Sequence, residues 1–223
     1  MIKAVFFDID GTLYDSRKLA DTARENAVKA MIEAGLEGNE KKILSALNSI
    51  VKGKGSNYDK HFDALLDRLE VEWNPEIIAA GVAAYHDTKL SFLRPYPETV
   101  PVLLSLRDEG YSLGIISNGR AVKQWEKLIR LRIHHFFDVV HVSETAGMEK
   151  PDAQLFASAL REAGARAQDA VMVGDKPETD IKGAKGAGLR AILVDRNKKG
   201  SMHGADAVIN SLSQLPSAIR MLK

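Results

Sequence analysis

The sequence predicts an α/β protein, in which a doubly wound parallel sheet carries a small inserted bundle of α-helices. From residue 98 onwards, short apolar runs of strand length alternate with helical patterns, as in consecutive βαβ units. Between the first apolar run and residue 95, four helical patterns follow one another with no clear strand between them. Because βαβ crossovers are right-handed, the strands are expected to lie side by side in one sheet.

The first strand and the inserted helices occupy the first 95 residues. The apolar run 4–7 is typical of a buried parallel strand. Apolar residues at helical spacing then predict helices at 17–34, 40–51, 59–69 and 75–93. Residues 94–97 contain two prolines and are predicted as the linker back to the sheet. The expected division is therefore 1–15 and 96–223 for the sheet and 16–95 for the helical unit.

The rest of the chain supplies the other strands of the sheet. Apolar runs predict strands at 113–116, 139–142, 170–173, 191–194 and 207–209. Helical patterns separate them at 100–109, 122–131, 153–163 and 181–187, and a last helix is predicted at 212–222.

Composition excludes several classes of function. The chain has 31 Lys and Arg against 30 Asp and Glu, so no overall basic field indicates a nucleic-acid partner. It has no cysteine, which excludes disulfides, zinc–thiolate sites and a cysteine nucleophile. No apolar run approaches the ~20 residues of a membrane span, and the first residues lack a signal-peptide cleavage region. We therefore expect a cytoplasmic protein without a membrane partner. Its oligomeric state is expected to be a monomer or a homodimer.

Acidic and small polar residues follow three of the predicted strands. Asp8 and Asp10 follow the first strand, Ser117–Gly119 the second, and Asp175 and Asp180 the fourth. Although an Asp-Gly pair also occurs in ordinary turns, the carboxyl ends of parallel strands meet at one edge of the sheet. Crowded carboxylates require either protonation or a bound cation. Oxygen ligands without His or Cys favour Mg²⁺.

The same edge is suited to a phosphoryl group. Lys150 follows the third strand, and Ser117–Gly119 are predicted to open a helix whose N–H groups suit a phosphate. Neutralising the phosphoryl oxygens is the main task of such a site. One carboxylate can attack phosphorus to form an aspartyl phosphate. A second carboxylate, two residues further on, can act as general acid and then as general base.

Four short motifs at these strand ends stand in a specific order. They read DIDGT from Asp8, SNG from Ser117, KP from Lys150 and GDKPETD from Gly174. In this order they resemble the phosphatase branch of the haloacid dehalogenase-like (HAD) hydrolase superfamily. The resemblance implies a Rossmann-like catalytic core at 1–15 and 96–223. It also implies a helical cap at 16–95, inserted between the first and second motifs.

The resemblance implies a role for each acidic residue and for the lysine. Asp8 would be the nucleophile and a magnesium ligand. Asp10 would be the general acid/base, with its backbone carbonyl on the metal. Asp175 would be an acidic metal ligand, and Asp180 would ligate the metal or orient its waters. Lys150 would neutralise the nucleophile and the phosphate.

The resemblance also implies contacts to the substrate. Ser117 and Asn118 would hold the transferring phosphoryl group together with Gly119. Thr12 would belong to the same phosphate-binding set and support the loop of the first motif. Lys54 lies in the predicted cap loop 53–58, where it would bind the leaving group. A lysine between two glycines is usually a solvated loop residue, which is the alternative interpretation of Lys54.

Asp10 favours phosphatase over dehalogenase chemistry, because displacement of a halide needs no acid at this position. The expected function is magnesium-dependent hydrolysis of a small phosphorylated metabolite, such as an aldehyde, sugar or glycolate-type phosphate or a nucleoside monophosphate. A phosphosugar mutase and a non-catalytic module that binds a phosphorylated ligand are the alternatives. Two residues depart from the family pattern, Lys176 after the Gly-Asp pair and Glu98 after the linker. Lys176 is expected either to add charge near the site or to point to solvent.

Overall fold

The chain forms a six-stranded parallel sheet with flanking helices and a separate helical unit. The computed structural model describes residues 1–55, 58–197 and 200–222. The chain divides into two compact units, one of Met1–Asp15 and Arg94–Lys223 and the other of Ser16–Leu93. These bounds lie within two residues of the division expected from the sequence. None of the helices in the described part of the chain has the length and apolar content needed to span a bilayer.

The sheet places the first strand at its centre. Its strands are β1 (Ala4–Phe7), β2 (Ser112–Ser117), β3 (Val139–Val142), β4 (Ala170–Gly174), β5 (Arg190–Val194) and β6 (Ala207–Ile209). Their order is β3-β2-β1-β4-β5-β6, and every neighbouring pair is parallel. Phe7, the last residue of β1, lies opposite Ile115 and Val173. The segments that follow β1, β2 and β4 therefore leave the sheet side by side, as predicted.

Helices account for most of the remaining chain. In the unit of residues 16–93 they are α1 (Ser16–Glu33), α2 (Glu40–Lys54), α3 (His61–Arg68) and α4 (Pro75–Phe92). In the sheet unit they are α5 (Thr99–Asp108), α6 (Ala121–Arg130), α7 (Ser143–Ala146), α8 (Ala153–Glu162), α9 (Lys182–Gly186) and α10 (Leu215–Met221). Only α7 has no counterpart in the sequence prediction, because four residues are too few to show a helical period. The predicted α/β fold class is confirmed.

Close packing between β1 and β2 explains a glycine in the sheet. Every residue of β1 is buried, as expected for a central strand with helices on both faces. A Cβ atom at Gly114 would lie 2.6 Å from the ring of Phe6, its partner in the β1–β2 register. The missing side chain of Gly114 therefore leaves space for the Phe6 ring.

The helical unit has a core of its own. Its fully buried apolar side chains include Val28, Met31, Leu65 and Leu66. The side chain of Asn74 caps α4 by accepting hydrogen bonds from the Glu76 and Ile77 amides. This helix has Pro75 in its first turn, as expected from the sequence.

The end of α2 differs from the prediction. The sequence places Lys54 in a loop that begins at Gly53, whereas α2 continues to Lys54 and ends at Gly55. Gly55 has a φ of +81°, which ends the helical conformation there. Ser56 and Asn57 of the predicted loop lie outside the described residues.

Candidate active site

Asp8 stands at the centre of the carboxyl edge of the sheet. Its amide, directly after β1, donates to the carbonyl of Val173 at 3.0 Å. Its Oδ1 atom accepts hydrogen bonds from Lys150 Nζ at 2.7 Å and from Ser117 Oγ at 3.3 Å. Its Oδ2 atom is buried and accepts none from the residues that the structure describes. One oxygen of Asp8 is therefore held in place, while the other is available for chemistry.

Lys150 is buried and fully hydrogen-bonded. Its Nζ donates to Asp8, to Asp180 Oδ1 at 2.7 Å and to the carbonyl of Ile116 at 2.9 Å. Burial by itself lowers the pKa of Lys150, but the charges of Asp8 and Asp180 outweigh it and raise the pKa above its usual value. Burial is also the largest influence on the pKa of Asp8. It raises this pKa, although the charge of Lys150 acts to lower it. The edge therefore contains a permanent ammonium group among carboxylates.

Both carboxylate oxygens of Asp180 accept hydrogen bonds from the protein. Oδ1 accepts from Lys150, and Oδ2 accepts from the amide of Lys176 at 3.0 Å. A one-turn π-helix, Pro177–Ile181, positions this fully buried side chain. A Cβ atom at Gly174 would lie 2.2 Å from Asp180 Oδ2, so the Gly-Asp motif needs its glycine for this approach. In this arrangement Asp180 orients Lys150.

Asp175 provides the second unpaired carboxylate oxygen. Its Oδ1 atom is buried and has no hydrogen-bond partner within the described ranges. Gly11 has a φ of +86°, and a Cβ atom there would lie 2.3 Å from Asp175 Oδ2. Glycine at position 11 thus lets the first loop approach Asp175. Burial, and then the charges of Asp8 and Asp180, raise the pKa of Asp175 to about 7.

The three carboxylates fit a hard divalent cation. Asp8, Asp175 and Asp180 each present one oxygen, and these atoms lie within 4.8 Å of one another. One oxygen each of Asp8 and Asp175 accepts no hydrogen bond from the described residues, whereas both oxygens of Asp180 do accept hydrogen bonds. Carboxylate oxygens are the donors that such cations prefer, and a cation relieves the repulsion between the crowded charges.

The SNG segment fixes the position of Lys150. The Asn118 side chain accepts from the Lys150 amide at 2.8 Å and donates to the Lys150 carbonyl at 3.0 Å. With Ser117 Oγ on Asp8, the segment thus holds both the carboxylate and the backbone that carries the ammonium group. Sequence reasoning placed these two residues at the site but did not anticipate the pairing of Asn118 with the Lys150 backbone.

The Ser117–Gly119 segment precedes the helix predicted at 122–131 and is not part of it. Helix α6 begins at Ala121, because Gly119 has a φ of +133° and interrupts the helical conformation. The Gly119 amide donates to Ser143 Oγ at 2.9 Å, and the Ala121 amide donates to Glu144 Oε2 at 2.8 Å. Neither amide is therefore available to a phosphate in this conformation. The phosphate-binding role of Gly119 stays a prediction.

Asp10 is held by a lysine that sequence reasoning missed. Lys127 Nζ, on α6, contacts Asp10 Oδ1 at 2.8 Å and Oδ2 at 2.6 Å, and the Tyr14 hydroxyl also bonds to Oδ1. Burial by itself raises the pKa of Asp10, but Lys127 and Tyr14 outweigh it, and the pKa is lowered. The sequence contains one signal for this contact. Lys127 lies next to Leu128 and three residues after Gln124, which are the two buried residues of α6.

Arg196 joins the loop that carries Thr12 to the return linker. Thr12 is fully buried, and its carbonyl accepts from Arg196 Nη2 at 3.4 Å. The guanidinium also bonds to Glu98 Oε1 at 2.8 Å and lies 3.4 Å from the ring centroid of Tyr96. The departure at Glu98 is thereby explained, since its carboxylate also accepts from Ser211 Oγ at 3.0 Å.

The two remaining lysines singled out from the sequence are exposed. Lys176 is exposed, in agreement with the solvent interpretation, but its charge also lowers the pKa of Asp175, opposing the larger effect of burial. Lys54 ends α2, and its Nζ lies 4.7 Å from the ring centroid of Tyr58. Its contact with a leaving group stays a prediction.

Comparisons with known proteins identify the family. The model of the family "haloacid dehalogenase-like hydrolase" matches residues 5–194. A glyceraldehyde 3-phosphate phosphatase of Methanopyrus kandleri is 51% identical over 200 residues, covering 89% of this chain and 86% of that protein. The protein of that name from Methanocaldococcus jannaschii is 43% identical over 226 residues, covering 100% and 99%. The crystal structure of a HAD phosphatase from Thermococcus onnurineus matches with a TM-score of 0.72 and 27% identity, covering 100% and 99%.

These relatives agree with the interpretation of the motifs. The first motif continues as DIDGTLYDS and is followed by four predicted helices. Within the family, this combination predicts a similarity to archaeal glyceraldehyde 3-phosphate phosphatases, and the similarity is confirmed. The matched residues include Asp8, Asp10, Ser117, Lys150 and Asp175. The chain therefore belongs to the haloacid dehalogenase-like hydrolase family, in which it is a phosphoric monoester hydrolase.

Proposed function

We propose that this enzyme hydrolyses glyceraldehyde 3-phosphate with Mg²⁺, through an aspartyl-phosphate intermediate on Asp8. The observation that carries this proposal is the pair of oxygens on Asp8. Oδ1 is held by Lys150 and Ser117, while Oδ2 is buried and accepts no hydrogen bond from the described residues. A carboxylate fixed by one oxygen presents the other to an incoming phosphorus atom in a defined direction.

In the first step, Asp8 attacks phosphorus and the bond between phosphorus and the ester oxygen breaks. This step uses the protonated form of Asp10, although Lys127 and Tyr14 favour the charged form. Asp10 gives its proton to the leaving oxygen, so that the product is a neutral alcohol. Lys150 stays protonated and offsets the negative charge that gathers on Asp8 and the phosphoryl oxygens. Ser117 keeps Asp8 in the orientation needed for attack.

In the second step, water attacks the phosphorus of the aspartyl phosphate. Asp10, now a carboxylate, takes a proton from that water, and the bond between phosphorus and Asp8 breaks. The products are inorganic phosphate and free Asp8, with the proton back on Asp10. A Mg²⁺ ion held by Asp8, by Asp175 and by the backbone carbonyl of Asp10 would neutralise the carboxylates and the phosphate during both steps.

The substrate assignment is supported by the relatives. Both archaeal proteins described above are named glyceraldehyde 3-phosphate phosphatase, and their similarity extends over at least 86% of their own length. The metal assignment is supported by the all-carboxylate donor set.

The helical unit is proposed to act as the cap of this enzyme, with Lys54 as the contact to the leaving group. Its insertion between the first two motifs and the exposed ammonium group at the end of α2 support this role. A Lys54→Met variant is expected to raise KM with little change in kcat. Lys52→Met, in the same helical turn, is the matched control, and equal effects of the two variants would contradict the role.

Phosphate release from glyceraldehyde 3-phosphate tests the function directly. The protein is first treated with a chelator and then assayed with and without Mg²⁺, alongside a panel of other phosphate esters. We expect Mg²⁺-dependent release and turnover reduced at least about 10³-fold in Asp8→Asn, because the nucleophile is lost. Wild-type rates in Asp8→Asn would show that the nucleophile assignment is wrong. Isomerised sugar phosphate without release would instead indicate the mutase alternative.

A further inference from the structure

We propose that Lys127 is a positioning residue of this enzyme, which holds the carboxylate of Asp10 where it exchanges protons with the leaving oxygen and the attacking water. The inference rests on the proposed function, in which Asp10 is the general acid/base. It adds a residue outside the four sequence motifs, contributed by α6 from 117 positions further along the chain.

The contact between Lys127 and Asp10 is bidentate. One ammonium group lies within hydrogen-bond distance of both oxygens of Asp10, at 2.8 Å and 2.6 Å. An ammonium group that bonds to both oxygens restricts rotation of the carboxylate about its last bond, which a single bond from Tyr14 does not. General acid catalysis requires the proton donor within hydrogen-bond reach of the leaving oxygen, so restricting this rotation has a direct consequence for rate.

The other cations of α6 behave differently. Lys123 and Arg130 pair with Glu126 on the outer face of the helix, at 3.3 Å and 2.9 Å. Lys127 instead lies at the edge of the buried face, next to Leu128, and its side chain is only 25% exposed. Ordering a long lysine side chain costs conformational entropy, and taking its charge out of water costs more. The pairing with Asp10 is the contact that offsets these costs.

A positioning role predicts a dependence on the leaving group. An alkyl alcohol leaves well only if it receives a proton, whereas 4-nitrophenol leaves as a stable phenolate without one. The value of kcat/KM reports the steps up to the first irreversible one, which here is phosphoryl transfer to Asp8. Misplacing Asp10 therefore lowers kcat/KM for alkyl phosphates and not for 4-nitrophenyl phosphate. The attack of water is common to both substrates, so kcat falls for both.

The test compares Lys127→Met with the wild-type protein on an alkyl phosphate that the wild type hydrolyses and on 4-nitrophenyl phosphate. We expect kcat/KM for the alkyl phosphate to fall about 10- to 100-fold, a part of what general acid catalysis supplies. For 4-nitrophenyl phosphate we expect kcat/KM to change less than about 3-fold, with a burst of phenolate before a slower steady state.

Two further variants make the test specific. Lys127→Arg should restore most of the loss, because a guanidinium can donate to both oxygens of a carboxylate. Lys123→Met, four residues earlier on the outer face, should behave as wild type with both substrates.

Equal losses of kcat/KM on both substrates, or no loss on the alkyl phosphate, would overturn the proposal. Failure of the proposed function looks different, since it would appear in the wild-type protein and in Asp8→Asn.

Discussion

Two lysine–aspartate pairings lie at the carboxyl edge of the sheet, and they differ in burial. Lys150 is 3% exposed and lies between Asp8 and Asp180, whose side chains are 4% and 0% exposed. Lys127 and Asp10 are 25% and 24% exposed. The buried set connects three strand ends, because Lys150 also donates to the carbonyl of Ile116 in β2. The half-buried pair joins one loop to one helix.

The difference in burial indicates different roles for Lys150 and Lys127. A buried ammonium group between two carboxylates cannot leave without exposing unpaired charges, so it supplies a constant positive charge. A half-buried pair is stabilised less, because water competes for both partners. Asp10 therefore stays accessible for proton exchange while Lys127 holds it, whereas Asp8 is buried with its partner through both steps.

Removing the buried ammonium group should have the largest effect. Lys150→Met leaves Asp8 and Asp180 as buried carboxylates without a counter-ion, and we expect the free energy of unfolding to fall by about 3–5 kcal/mol. We also expect kcat to fall about 10²- to 10³-fold, because the charge on the phosphoryl oxygens is no longer offset. Urea unfolding followed by circular dichroism and a phosphate-release assay measure the two effects.

Lys127→Met is the matched comparison for stability. It removes the same charge from the half-buried pair and should lower the free energy of unfolding by at most about 1 kcal/mol. Equal destabilisation by the two variants would contradict the distinction between the pairings.

The pH dependence of stability should have opposite signs at Asp10 and Asp175 in the metal-free protein. The folded pKa of Asp10 lies below its unfolded value, despite the opposing effect of burial, because Lys127 and Tyr14 favour the charged form. Its contribution to stability is therefore present above the unfolded pKa and is lost as the pH falls through the folded one. The folded pKa of Asp175 is about 7, raised by burial and then by Asp8 and Asp180. This carboxylate becomes destabilising as the pH rises towards 7.

Two amide variants measure these contributions. In the presence of a chelator, Asp10→Asn should be less stable than wild type from pH 8 down to about pH 4, and the deficit should shrink only as the pH falls below about 4. Asp175→Asn should be more stable than wild type at pH 8, and the gain should shrink as the pH falls from about 7 towards 4. Urea unfolding at about pH 3, 4, 6 and 8 gives both series, and pH trends of the same sign would show that the two environments are not opposed.

Much of the site was predictable because parallel sheets place strand ends together. Asp8 and Asp175 follow β1 and β4, Ser117 is the last residue of β2, and the apolar runs alone located those strands. The sequence could not show how each oxygen is used. Both oxygens of Asp180 accept hydrogen bonds, and the Gly119 amide is bonded to Ser143, because close packing brings a protein partner to most buried polar groups.

The sequence by itself determined the α/β class, the inserted helical unit and the motif residues at the strand ends. These features depend on the local spacing of apolar residues and on the rule that the carboxyl ends of parallel strands meet at one edge of a sheet. Both apply directly to the order of residues in the sequence. Tertiary structure decided that Lys127 meets Asp10 and that Arg196 joins Glu98 to Thr12. Such contacts depend on where a long side chain of one element ends relative to another element, and the spacing of residues in the sequence carries no measure of that distance.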